Sequence, residues 1–72
     1  MSTVKVEVKR GNDGDVCYKV WGEYMEANSG RHSDTDAFWF ATYACDCEKV
    51  ADTTHLAYLN TAPVIHTYEV VL

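Results

Sequence analysis

The chain has 72 residues, with eleven Asp and Glu against six Lys and Arg, for a formal net charge of −5. At this length it makes a single small domain, residues 1–72, which buries only about 60% of its unfolded surface and needs a disulfide, a metal or association to help its core. The acidic balance excludes the basic footprint of direct nucleic-acid binding, the 47% hydrophobic content excludes disorder, and three cysteines, an odd and low number, exclude a secreted disulfide framework.

Thr3 to Lys9 reads Thr-Val-Lys-Val-Glu-Val-Lys. Val4, Val6 and Val8 share one side of an extended chain and Lys5, Glu7 and Lys9 the other, the period of a half-buried strand. No apolar stretch follows a basic start, so no signal peptide is read here. No run approaches the ~20 residues of a membrane span, and the expected location is cytoplasmic. Gly11-Asn12-Asp13-Gly14 is a dense turn signal. From Asp15 to Ala27 the alternation resumes, with Val16, Tyr18 and Val20 on one side and Cys17, Lys19, Trp21 and Glu23 on the other. The two strands predict a hairpin, and Gly22 marks a bulge or bend in the second.

Asn28-Ser29-Gly30 ends that strand, and Arg31 to Thr35 reads as a polar loop. Ser33-x-x-Asp36 before an apolar run resembles a capping box, so a helix starts near Asp34. Asp34 and Asp36 suit the positive end of its dipole. On a helical wheel Ala37, Phe40, Tyr43, Ala44, Cys47, Val50 and Ala51 fall within an arc of about 140°, with Thr42, Asp46, Glu48, Lys49 and Asp52 outside it. The phase is lost after Asp52. Thr54 to Leu59 predicts a third strand, Asn60-Thr61-Ala62-Pro63 a turn, and Val64 to Leu72 a final strand. The expected fold is α+β: a small antiparallel sheet with one helix packed on one face, in ββαββ order. The alternative is ββαβ, with the helix running on to Leu59. The other face of the sheet is expected to be wet, carrying Lys5, Glu7, Lys9, Lys19, Trp21 and Glu23.

Phe38-Trp39-Phe40 cannot be absorbed by one core, because successive helical residues lie about 100° apart. Phasing assigns Phe40 to the core and Trp39 to its boundary. Phe38 joins Thr42, Cys45 and Lys49 in an outer stripe. Exposed apolar patches mark interaction sites, and Trp is typical of binding hot spots. The expected protein-binding set is therefore Phe38, Trp39, Thr42, Cys45, Asp46 and Lys49, joined by Arg31 and His32 from the preceding loop. The competing reading has that loop, or the end of the chain, folding over Phe38.

Other chemistry finds little support. Cys45-Asp46-Cys47, with His55 and His66, suggests zinc, but two cysteines one residue apart on a helix point about 200° away from each other. Asn12 to Asp15 and Asp34 to Asp36 lack the twelve-residue calcium-loop pattern; a hairpin turn and a helix cap explain them. Cys17, His32, His55 and His66 sit in no nucleophile signature, and no phosphate-binding glycine loop is present. His66 alternates with Val64, Tyr68 and Val70 and reads as a structural histidine on a strand face. No cofactor, metal or catalytic residue is expected.

What remains is a non-enzymatic protein-binding module whose acidity suits a basic target. Basic surfaces are common on nucleic-acid-handling proteins. In size, acidity and absence of a catalytic motif, the chain resembles small phage-encoded anti-defence proteins such as anti-CRISPRs. That resemblance is one of composition and assigns no residue a role; it implies an inhibitor occupying a basic surface. The alternative is a self-assembling homodimeric structural or adaptor module, in which association offsets the thin core.

Overall fold

The computed structural model describes residues 2–47 and 54–72. Its class is the expected one: a four-stranded antiparallel sheet with one helix against it. Strands β1 (Thr3–Arg10), β2 (Val16–Val20) and β3 (Glu23–Glu26) run consecutively, followed by helix α1 (Asp34–Asp46), a 3-10 segment (Thr54–Thr61) and β4 (His66–Val71). The sheet order is β3-β2-β1-β4, so β1 is internal and β4 forms an edge.

The fourth strand comes from an unexpected place. The stretch read as one strand from Asp15 to Ala27 reverses at Trp21-Gly22, where Val20 pairs with Glu23. Both turn residues have positive φ, 52° at Trp21 and 85° at Gly22, the signature of the mirror-image turn whose twist matches a hairpin. Gly22 was legible as a bend, but a bulky residue in the left-handed region defies propensity at a cost of roughly 1–2 kcal/mol. Trp21→Asn is therefore expected to stabilise the domain by about 1 kcal/mol. That raises the thermal midpoint by about 4–8 °C, which calorimetry would show.

On one face of the sheet, Val4, Val6, Val8, Tyr18, Val20 and Val70 pack against α1. Ser33 caps the helix as read, its hydroxyl accepting the Asp36 N–H at 3.1 Å. The N–H of Ser33 itself donates to the Tyr18 hydroxyl, also at 3.1 Å, so the sheet completes the cap. The helix ends at Asp46, with Cys47 as C-cap donating its N–H to the Tyr43 carbonyl. Glu48, Val50, Ala51 and Asp52, expected to prolong the wheel, lie outside the described residues.

The buried helical residues are Ala37, Ala41 and Ala44. Tyr43, placed on the core arc by the wheel, is 41% exposed, and Phe40 is half-buried. The buried arc is turned from the expected one toward Ala41, which brings the alanine stripe inward, since small side chains let the helix approach the sheet closely.

The opposite face is not left wet. Residues 54–59, expected as a strand, belong to the 3-10 segment, which buries Leu56 and Leu59 against Cys17 and Tyr24. Leu56 and Leu59 are three residues apart, the period at which 3-10 side chains align. Lys9, expected in solvent, is 6% exposed. Its Nζ donates to the Leu59 carbonyl at 2.8 Å and to the Tyr24 hydroxyl at 3.3 Å. The Tyr24 hydroxyl in turn donates to Asn60 Oδ1 at 3.1 Å. A polar chain thus pins the 3-10 segment to the sheet. Trp21, expected among these side chains, stands at the hairpin tip and is 64% exposed.

Candidate functional site

The outer side of α1 carries Phe38, Trp39 and Tyr43, each well exposed. Trp39 and Tyr43, four residues apart and so neighbours on a helix, stack at 5.5 Å between ring centroids with planes 8° apart. Phe40 meets Trp39 at 5.0 Å and 87°. The indole is thus braced on two sides, which lowers the entropy lost when it is immobilised against a partner. Phe38, Trp39, Thr42, Tyr43 and Asp46 line a shallow depression of about 240 Å³. The Thr42 hydroxyl bonds the Phe38 carbonyl one turn back at 2.9 Å and is committed to the helix.

Phe38 also borders a second groove, of about 270 Å³, shared with Asp34 of α1 and Tyr68, Glu69, Val70 and Val71 of β4. It stands as a ridge between the two depressions. Among the described residues neither the preceding loop nor the chain's end closes over it, and it remains 52% exposed.

The other expected site residues divide. Asp46 lies in the first depression. Cys45 is exposed on α1 but lines neither depression. Lys49 lies outside the described residues. Arg31 is exposed, whereas His32, expected in solvent, is half-buried: its Nδ1 meets the Tyr68 hydroxyl and its ring stacks on His66 at 4.8 Å. His32 ties the loop to β4. The Tyr68 hydroxyl holds its proton above the usual tyrosine range, chiefly through desolvation and then through the carboxylates of Asp34 and Asp36. Sequence reasoning missed Tyr43, Tyr68 and Val71. The spacing of Tyr43 from Trp39 was a signal for the first; pairing of distant strands hid the other two.

One further cluster among the described residues bears on chemistry. Oxygens of Asp13, Asp15 and Glu26 lie within 4.8 Å of one another. Asp13 Oδ1 also accepts the Asp15 N–H at 3.1 Å, in the turn where Gly14 takes a φ of 90° that only glycine adopts freely. Asp13 and Glu26 share a hydrogen bond, which holds Asp13 below and Glu26 above the usual carboxylate range. No three of Cys45, Cys47, His55 and His66 converge.

Cys17 is fully buried. Desolvation, then the negative charges of Glu26, Asp13 and Asp15, push its thiol up to about 11. A thiol that keeps its proton at neutral pH is a poor nucleophile. The folded state holds this proton more tightly than the unfolded chain, whose thiols ionise near 9. The associated stability is therefore complete below pH ~9 and is lost as pH rises through about 11, by at most roughly 2–3 kcal/mol. Urea midpoints measured across that range are expected to fall more steeply for the parent chain than for Cys17→Ala.

Comparison of the chain with protein-family models, with curated protein sequences and with solved structures finds no match.

Proposed function

We propose that this chain is a non-enzymatic, cofactor-free protein-binding module. Through the outer face of α1 it occupies a basic surface of a nucleic-acid-handling protein, in the manner of phage anti-defence inhibitors. The observation that carries the reading is the stacked Trp39–Tyr43 pair beside exposed Phe38. Three aromatic side chains on one short helix, turned away from an alanine-lined core, do little for folding, and a braced indole is a typical anchor for a partner. The rim supports a basic target: Asp34 and Asp46 line the two depressions that flank Phe38. Charge of one sign around an apolar centre speeds encounter with a complementary surface and discriminates among partners. Among the described residues no helix is long and apolar enough to cross a membrane; a cytoplasmic site of action accompanies the reading.

The test is capture of partners from host extract by the parent chain, by Phe38→Ser and by Trp39→Ala, with binding measured on the captured protein. Both variants are expected to weaken binding at least tenfold and to leave the thermal midpoint within a few degrees of the parent, and the partner captured by the parent is expected to release with added salt. Undiminished capture by both variants overturns the proposal. So does a chain whose melting depends on its own concentration and whose dimer mass is lost on Phe38→Ser, which is the behaviour of the self-assembling alternative.

A further inference from the structure

We infer that the partner supplies an extended basic segment that adds to the sheet as a fifth strand along β4, with its apolar side chains against Phe38. This rests on the protein-binding reading and specifies its mode.

The first support is the backbone of β4. Ser2 and Leu72 exchange both N–H···O bonds, at 3.2 and 2.8 Å. In an antiparallel ladder such pairs alternate with pairs whose groups point away. Since Val4 pairs with Val70 and Val6 with Tyr68, the bonds to β1 come from Tyr68, Val70 and Leu72. Thr67, Glu69 and Val71 turn their N–H and C=O outward. Among the described residues no strand pairs with that edge.

The second support is that β4 carries only one of the usual guarding devices, a single charge. Edge strands are normally blunted by brevity, lysine or proline. The other edge, β3, has four residues with Glu at both ends. β4 has six residues, His66–Val71, with neither lysine nor proline and a single acidic residue. Beside it runs the groove of Asp34, Phe38, Tyr68 and Val70, so an added strand finds backbone partners on one side and an apolar wall above. Backbone pairing provides affinity in this mode, and alternate side chains provide specificity.

Charge selects the occupant. Asp34 and Glu69 line the groove, and Asp36 joins Asp34 in acting on Tyr68. Lys5, paired with Glu69 across the ladder, is the opposing cation on β1. A second copy of this chain is a poor occupant. The antiparallel register that matches Thr67, Glu69 and Val71 with their counterparts sets Glu69 opposite itself, and directly opposed like charges destabilise a pair. An incoming strand with Lys or Arg on one side and Val, Ile or Leu on the other meets no such penalty.

The probe is a peptide of alternating lysine and valine, roughly eight residues long to span a strand, titrated into isotope-labelled protein. A peptide of alternating glutamate and valine is the control. The lysine peptide is expected to shift the amides of Thr67, Glu69 and Val71, to slow their hydrogen exchange, and to perturb the Phe38 ring; the glutamate peptide is expected to do none of these. Thr67→Pro removes an outward N–H without touching the β1 ladder and is expected to weaken the lysine peptide at least tenfold. Glu69→Lys leaves the backbone intact and is expected to reverse the preference between the two peptides. Shifts confined to Trp39 and Tyr43, with the edge amides still exchanging freely, overturn strand addition. Equal binding of both peptides overturns the basic occupant. Edge amides protected without peptide, in a protein of dimer mass, overturn it in favour of a second copy. A captured partner lost on Phe38→Ser but retained on Thr67→Pro leaves the aromatic-face reading standing and removes this one.

Discussion

Replacing Tyr18 with alanine is expected to lower stability by about 3–5 kcal/mol, roughly a third or more of what holds the chain folded. A domain of this length has only about 4–11 kcal/mol in total. Tyr18 is fully buried in β2. Its ring stacks on Phe40 at 4.8 Å with planes 27° apart, and its hydroxyl accepts the Ser33 N–H. One side chain therefore fills the space between sheet and helix and also completes the helix cap. With Ala37, Ala41 and Ala44 as its buried face, α1 has only Phe40 beside the void, and that ring loses its stacking partner. Tyr18→Phe separates the two roles. It keeps the ring, strands the Ser33 N–H, and is expected to cost about 1–2 kcal/mol. Urea unfolding of the two variants measures both. A loss below ~1 kcal/mol for Tyr18→Ala would mean that helix and sheet are not joined through this residue.

Lys9→Ala is expected to cost about 2–3 kcal/mol and Lys9→Met less than about 1 kcal/mol. The difference would show that the stem of this lysine matters more than its charge. Nζ lies 5.7 Å from the centroid of the Tyr24 ring and donates to the Leu59 carbonyl and the Tyr24 hydroxyl. Removing the ammonium strands neither partner. The Leu59 carbonyl keeps the Ala62 N–H at 3.0 Å, and the Tyr24 hydroxyl keeps Asn60. Methionine fills most of the same volume without the desolvation of a cation. Alanine leaves a gap beneath the 3-10 segment, so the amide of Ala62 is expected to exchange faster in that variant alone. Equal losses for Met and Ala would assign the stabilisation to the charge.

The elements legible in the sequence were those with local causes. Alternation fixed β1, Gly14 the first turn, and Ser33 with Asp36 the start of α1. Gly22 was legible as a bulge or bend, but not as a full reversal, because Trp21 supplies no turn signal; there Val20 pairs with Glu23. Lys9 was opaque because outward alternation looks the same whether solvent or a distant segment covers that face. The 3-10 segment had too few residues for its period to compete with a strand reading. In the site, Phe38, Trp39 and Asp46 followed from helical spacing. Tyr43 went astray because the core arc was centred near Phe40 and Cys47, whereas Ala37, Ala41 and Ala44 do the packing. His32 was misplaced for a long-range reason, its contact with Tyr68. The groove beside β4 was invisible, since it lies between α1 and a strand set in place by its meeting with β1 from the other end of the chain.

That meeting has a kinetic consequence. β1 pairs with β2 across a short loop, but with β4 across almost the whole chain, Thr3 beside Val71. Closing so long a loop is entropically expensive, and contacts of such separation slow folding. During synthesis β1 therefore waits with one side unpaired until β4 has been made. Once made, the seam is well held, because Val70 packs into the core beneath α1 and His32 meets Tyr68. The β1–β4 ladder is thus the last part of the sheet to be made.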